Sequence, residues 1–314
     1  MPALKDIEEK YMYGYKVDNE NDTAIFNDKD HLYINKEKGY RYTSVTTLVK
    51  MYEQPYNSDF WSMYKAFERL ADPELWAKYR KAFLEHKKYS DKSFEVLNID
   101  KELALETQKQ ILQEWEENKN NSCERGTCIH ADRESMLYSM TGKYMKKFGF
   151  DEGIPAFKGV HKLNEASGVF PEYFISWTSE DGLLKIAGMA DIVIKNGNEV
   201  IIGDWKTNKE IKTKGYFDKK TNKVQCMKYP LNKIPDVNYY HYTLQMSIYM
   251  WLLQQQYPDI TCGGLFIWHI DHDGNETKYD CEYLKDDVER LLKHFKKQQK
   301  IHEELERIKP VQIC

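Results

Sequence analysis

Between Val169 and Thr207 the apolar residues first alternate with polar or small ones. They then close up into runs such as Ile192-Val-Ile194 and Val200-Ile-Ile202. Period-two alternation predicts half-buried strands, and closed runs predict strands covered on both faces. The predicted strands are 169–177, 183–194 and 199–207, an antiparallel meander. Asn196-Gly197 lies between the last two and is a strong two-residue hairpin signal, since both turn positions favour positive φ. Taken as the turn, it sets Lys195 opposite Asn198 and Asp191 opposite Ile202. Directly opposed residues share a sheet face, as do residues two apart on one strand. Asp191, Ile202, Asp204 and Lys206 are therefore expected to point the same way.

Elsewhere the period is helical. Leu103, Leu105, Ile111, Leu112 and Trp115 predict an amphipathic helix over 101–119, and the polar stretch Asn118–Ser122 reads as a break before a new helix over 124–140. Residues 56–120 as a whole read as several helices. Residues 239–256 form another strong helical pattern, 264–270 an apolar strand, 271–275 a turn, 277–282 an edge strand and 285–308 a long charged helix. The first fifty residues read as a small β-rich entry. In it 31–34 and 40–42 flank a turn near 35–39, and Thr43-Ser44 caps a helix running into 46–50. Helix, three antiparallel strands, helix, strand is the order of an α/β sandwich with a mixed sheet. The expected division is an N-terminal hairpin with a helical wall or arch over 1–120, and a core with a C-terminal helix over 121–314.

Composition narrows the class. The 314 residues can bury a sizeable core, and 41% hydrophobic with 31% charged suits a soluble globular chain. No apolar run reaches membrane-spanning length, and residues 1–10 lack a signal-peptide hydrophobic region, so a cytoplasmic location is expected. The cysteines at 123, 128, 226, 262, 281 and 314 include no Cys-x-x-Cys, which argues against a zinc or iron–sulfur site and for free thiols. Neither a Gly-x-x-x-x-Gly-Lys loop nor a Gly-x-Ser-x-Gly elbow is present, so no ATP-driven motor or hydrolase serine is indicated. The net charge of −4 shows no global basic excess. Lysines 206, 209, 212, 214, 219, 220, 223 and 228 nevertheless crowd one stretch against Glu210 and Asp218. Alone this is a solvated loop; directly after the strand that carries Lys206, it is placed to track a phosphate backbone.

Asp191 and Asp204 sit in strands that read as buried, and buried charges are rare unless paired or bound to metal. Two such carboxylates make a hard oxygen site for Mg²⁺ or Mn²⁺, with Lys206 to position or deprotonate a water or to stabilise developing charge. A structural salt bridge is the competing account. Glu172, on the preceding strand opposite in face to Tyr173, Ile175 and Trp177, is either a third acid at this site or a surface residue at a strand start. Gly126-Thr-Cys-Ile-His130 places glycine and histidine on one helical face; read alone, the histidine is structural, with Glu134 as its partner or a surface charge. Gln245 and Tyr249 share a face of the 239–256 helix, Gln245 needing polar partners if buried and Tyr249 fitting core or site. His269-Ile-Asp-His-Asp273 has metal-like letters, but its Asp-Gly-Asn continuation reads as a turn.

The ordered set Gly126-x-x-x-His130, Glu172, Gly188-x-x-Asp191, Asp204-x-Lys206 and Gln245-x-x-x-Tyr249 resembles the RecB-type branch of the PD-(D/E)xK nuclease superfamily. That branch includes the nuclease domains of bacterial helicase–nucleases, CRISPR-associated single-strand exonucleases, the mitochondrial genome maintenance exonuclease and many phage exonucleases. The likeness covers roughly residues 120–270, and Tyr42-Thr-Ser-Val-Thr-Thr47 and Met227–Leu231 look most like the stand-alone, phage-type members. It implies a restriction-endonuclease-like mixed sheet flanked by helices. It also implies His130, Asp191, Asp204 and the Trp205 carbonyl as metal ligands for Mg²⁺ or Mn²⁺, Lys206 as the catalytic lysine and Glu172 as an accessory acid. Gly126, Gln245 and Tyr249 would support the site or contact DNA, and Lys209, Lys212 and Lys214 would hold the backbone. The expected activity is a DNA exonuclease preferring single-stranded ends or flaps, working beside replication or recombination proteins, in the host cytoplasm if phage-encoded, without ATP or a membrane. A nicking or structure-specific endonuclease, an RNA nuclease, and a catalytically silent DNA-binding module on the same fold are the alternatives.

Overall fold

The computed structural model describes residues 17–19, 22–27, 30, 32–35, 37–139, 155–157, 163, 166–218 and 222–308. The readings made above on residues 1–10, Lys219, Lys220 and Cys314 lie outside them. The described residues fall into two compact units, one built from the chain up to Gln54 and from Cys128 onward, the other from Pro55–Thr127.

The larger unit carries a mixed sheet. Its long strands are β6 (Gly168–Thr178), β7 (Lys185–Asn196), β8 (Glu199–Lys206), β11 (Thr261–Ile270) and β12 (Glu276–Cys281). β7 pairs antiparallel with both β6 and β8, β11 lies parallel to β8, and β12 closes the far edge antiparallel to β11. A short strand, β5 (Thr43–Ser44), runs parallel to β7 beside Ile186 and Ala187, on the edge that β8 has left. Small strands β1 (Val17–Asn19), β2 (Asp22–Asn27), β3 (Leu32–Asn35) and β4 (Tyr40–Arg41) make a separate antiparallel sheet, of which the sequence pattern signalled only the 32–41 hairpin. On one face of the main sheet lie α1 (Val45–Lys50), α6 (Asn238–Gln256) and α7 (Lys285–Ile308), around a core that includes Leu244, Ile248, Leu252, Ile202 and Ile267. Ser44 caps α1 as expected, its hydroxyl accepting from Thr47 N–H. On the other face Ile129, Met136 and Leu137, near the end of α5 (Lys101–Ser139), pack with Ile192, Trp205, Phe266 and Trp268.

The smaller unit is helical: α2 (Ser58–Leu70), α3 (Pro73–His86), α4 (Asp91–Leu97) and the first part of α5. Its core joins Phe60, Met63, Phe67, Trp76, Phe83, Phe94 and Ile111. Asn57 and Asp72 cap α2 and α3 through their side-chain oxygens.

Two sequence expectations are corrected. The break at Asn118–Ser122 does not exist, because α5 runs unbroken from 101 to 139. Asparagine and serine cost at most about 0.7 kcal/mol each in a helix and, unlike proline, remove no hydrogen bond. Ser122 instead turns its hydroxyl back onto Asn118 O at 2.7 Å, satisfying itself within the helix. The β7–β8 hairpin turns at Gly197-Asn198, one residue later than expected, since Asn196 pairs with Glu199 and Lys195 with Val200. Gly197 takes φ +59° and Asn198 stays at negative φ, the glycine-first pattern of a type II′ turn. The register moves by two residues relative to the Asn-Gly reading. Because the side-chain period is two, the error preserves which face each residue occupies.

Candidate metal centre

The β7–β8 ladder ends at Ile192 and Gly203, and beyond it the strands fork. Asp191 and Trp205 stand at that fork. The Asp191 side chain takes over where the ladder stops: Oδ2 accepts the Trp205 backbone N–H at 2.6 Å, in a buried position. A buried N–H left unmade costs roughly 1–3 kcal/mol, so this carboxylate is a structural part of the fork.

The opposite neighbour of Asp191 on β6 is Glu172, and here both strands break their alternation. On β6, Phe170 and then Tyr173, Ile175 and Trp177 face the α6 side. On β7, Ile186 and Ala190 face it, and after the break Val193 does. The register is unchanged across the break, with Pro171 opposite Ile192 and Tyr173 opposite Ala190. Each strand therefore swaps faces at the same level. Glu172 accomplishes this with φ +47°, in the left-handed region. That conformation costs an ordinary residue roughly 1–2 kcal/mol. Tyr173, Ile175 and Trp177 do share a face as expected, whereas Glu172 departs from the simple alternation assumed for it.

The third member comes from α5. His130 lies on the same stripe as Arg133 and Leu137, and Leu137 is fully buried against the sheet. Arg133 anchors the helix: it donates to Glu276 Oε1 at 2.8 Å, and its guanidinium lies 5.7 Å from the Trp205 ring centroid. Trp268 Nε1 holds the other Glu276 oxygen at 2.8 Å. So fixed, His130 Nδ1 sits 3.5 Å from Asp191 Oδ2. One ligand atom each from His130, Glu172 and Asp191 all lie within 4.8 Å of one another.

Asp204 stands next to this group. It is 2% exposed and ion-paired through Oδ2 to the Lys206 ammonium. Lys206 lies 4.7 Å over the Tyr242 ring of α6. Gln245 Nε2 reaches Tyr249 Oη at 3.4 Å, and both are buried. Tyr249 fills the space over Gly188, where a Cβ would come 2.6 Å from its Cε1. This is the packing reason for glycine three residues before Asp191. Gly126 lies half-buried in α5 one turn before His130. Lys209, Lys212 and Lys214 are exposed on the segment that follows β8, Lys212 facing Glu210 at 3.2 Å.

The electrostatics reflect five ionisable groups packed together. Burial, with Asp191 adding, pushes the Glu172 carboxyl up to about 8. Burial also pushes Asp204 up to about 7, against the pull of Lys206. Burial would lower the His130 imidazole, but Asp191 overcomes it and raises it to about 9. Burial raises Asp191 too, but His130 and Lys206 outweigh it and hold this carboxyl below its ordinary value. Burial likewise opposes the charge on Lys206, yet Asp204 and Asp191 hold its pKa above the usual lysine range.

Glu134 is half-buried on α5 and adds negative potential at Glu172. Three residues escaped the sequence reading. Tyr33 of β3, its ring 5.6 Å from Phe174, is 6% exposed and feels the charges of Glu172 and Asp191. Arg133 was hidden because its partner, Glu276, is 143 positions away. Tyr242 was visible only as part of an apolar helix. The His269–Asp273 letters resolve as expected into a turn: Asp271 accepts the Asp273 and Asn275 N–H groups at 2.9 and 2.8 Å, and His269 Nε2 bonds Asn208 O at 2.6 Å.

The donor set fits a divalent cation. One imidazole and two carboxylates converge within ligand distance, and the buried Asp204 carboxylate stands beside them.

No curated protein matches the chain. Among solved structures, the crystal structure of SSO0001 is similar at 17% identity, over 81% of this chain and 74% of that one, with a TM-score of 0.34. The family model described as the PD-(D/E)XK nuclease superfamily matches residues 65–314, a span that contains His130, Glu172, Asp191, Asp204, Lys206, Gln245 and Tyr249. With a mixed sheet flanked by helices and two acids and a lysine at the fork of its central strands, the chain belongs to the PD-(D/E)XK nuclease superfamily.

Proposed function

We propose that the protein is a Mg²⁺- or Mn²⁺-dependent deoxyribonuclease of the RecB type, close in kind to the stand-alone phage exonucleases, acting at single-stranded ends. The observation that carries this reading is the convergence of His130, Glu172 and Asp191 within 4.8 Å, beside the Asp204–Lys206 pair. His130, Glu172, Asp191 and Asp204 would hold the cation. Bound there, it supplies charge neutralisation at the scissile phosphate and a more acidic water.

The chain's own groups do the rest. Lys206, paired with Asp204 at the edge of the site, would stabilise charge developing on the phosphate and orient the attacking water. Tyr242, under the ammonium, limits where that charge can swing. Gln245 and Tyr249 brace the wall behind Gly188. Exposed Lys209, Lys212 and Lys214, on the segment leaving β8, give the strand backbone a basic path.

Labelled linear single strands, duplexes, flaps and closed circles, incubated with Mg²⁺ or Mn²⁺, test the reading. Progressive loss of linear single strands, with circles intact, is the expected result. Circles cut as fast as linear strands would make it an endonuclease. Binding without cleavage, in the wild type and equally in Asp204→Ala with Lys206→Ala, would make it a DNA-binding module. Equal action on RNA would remove the sugar preference.

A further inference from the structure

The segment after Lys206 holds a second small β-ribbon, β9 (Phe217–Asp218) with β10 (Lys223–Val224). Phe217 is directly opposite Val224, and Asp218 is opposite Lys223. One face of the ribbon therefore presents Phe217 and Val224, and the other presents Tyr216, Asp218 and Lys223. These apolar groups are turned to solvent: Tyr216 is 65% exposed, Phe217 48% and Val224 41%. Lys214 and Lys223 are exposed around them.

The base of this ribbon is hydrogen-bonded into the larger unit. Gln225 N–H donates to Tyr216 O at 2.8 Å, and Asp236 N–H to Gln225 O at 3.0 Å. Asp236 also accepts the Gln54 N–H at 3.0 Å, and His241 Nε2 lies 2.8 Å from its other oxygen. Gly215 leaves the room that Val224 occupies. Just beyond, Met227, Leu231 and Ile234 are buried in the main core. The ribbon is also tied to the candidate catalytic lysine. His241 is adjacent in α6 to Tyr242, whose ring lies under Lys206. The path from Lys206 to Tyr216 thus runs through the Tyr242 ring, its helical neighbour His241, the Asp236 side chain and two backbone hydrogen bonds.

Aromatic and apolar side chains held outward on an anchored ribbon, set among lysines, mark a binding surface. Flat rings with adjacent cations suit unpaired bases, because a stacked base offers its π-face while its phosphate meets the ammonium. A paired duplex hides those faces. Resting on the nuclease reading above, we propose that this ribbon is the element that grips unpaired nucleotides of the substrate strand, with Phe217 on one face and Tyr216 on the other as stacking platforms for bases on either side of the ribbon, and Lys214 and Lys223 on the phosphates.

The test measures binding in the Lys206→Ala background, so that a labelled oligothymidylate is held uncut, alongside a blunt duplex of the same length. Tyr216→Ala and Phe217→Ala are each expected to weaken binding of the single strand about tenfold and of the duplex much less. Tyr216→Trp is expected to restore single-strand binding, with indole fluorescence quenched by the strand. Equal losses for strand and duplex, or a Tyr216→Trp protein as weak as the alanine variant, would overturn the stacking role. Unchanged single-strand binding in both alanine variants would do so as well. Cleavage is read separately in proteins that keep Lys206. A wild type that cuts strands, paired with ring-independent binding, defeats the ribbon alone; ring-dependent binding without any cutting supports the ribbon and defeats the nuclease reading.

Discussion

Replacing Glu172 by asparagine, with glutamine as the control, isolates the strain held at the candidate metal centre. Glu172 has φ +47° and a carboxyl that burial and Asp191 push up to about 8. Glutamine removes the ionisable group but keeps an ordinary side chain in the left-handed region. Asparagine removes it too, yet tolerates that region far better. The left-handed conformation costs most residues roughly 1–2 kcal/mol, so the asparagine variant should be the more stable of the two by about 1 kcal/mol. For a domain of 150–250 residues that corresponds to a melting shift of roughly 2–4 °C. The assay is urea unfolding in the presence of a chelator, read as a change in midpoint at constant slope. On the proposed function, Mn²⁺ should raise the melting temperature of the wild type and of neither variant. An asparagine variant no more stable than the glutamine variant would refute the claim that the backbone at Glu172 is strained for the site.

Gly203→Ala should destabilise by about 1–3 kcal/mol, because its Cβ would sit 2.5 Å from Cε2 and 2.8 Å from Cε1 of the buried Phe266 ring. In a Phe266→Ala background the same change should cost almost nothing, and a double-mutant cycle by chemical denaturation would show a persisting cost as failure of the packing argument. Arg133→Ala should lower Mn²⁺ affinity roughly 10–100-fold by releasing α5 and His130, and Arg133→Lys should not restore it, as titration calorimetry would show. Asp181 accepts from Ser179 at 2.7 Å and pairs with Lys296 at 2.5 Å. Lys296, then Ser179, hold its carboxyl down at about 2 against an ordinary 3.8. A depressed carboxyl stabilises above its unfolded value and loses that as pH falls toward the folded one. Melting temperatures of wild type and Asp181→Asn should therefore converge as pH drops from 3.8 toward 2, and curves that stay parallel would count against it.

What the sequence displayed was local. The strands at 168–206 and the helix at 238–256 could be read because period and turn letters are carried by neighbours. The nearness of Asp191, Asp204 and Lys206 could also be read, since they lie within sixteen residues and a two-residue register error leaves faces unchanged. The left-handed Glu172 could not, because nothing in Pro171-Glu-Tyr demands positive φ; the demand comes from the matched break on β7. Arg133 could not, because a pair formed across 143 residues leaves no periodic trace. The unbroken α5 was missed for the opposite reason: Asn118–Ser122 looks like a loop locally, and only the continuing helix on both sides overrides it.

The bond from Trp205 N–H to Asp191 bears on how relatives of this chain should be judged. That carboxylate closes the fork in the sheet whether or not a cation is bound, so a descendant that had lost all catalysis would still be selected to keep it. Glu172 stands in the reverse position, since its left-handed backbone burdens the fold and, on the proposed function, its carboxyl serves the cation. In a set of related sequences, an aspartate at position 191 would report that the architecture persists. A glutamate at 172 would be the better witness that the enzyme is alive.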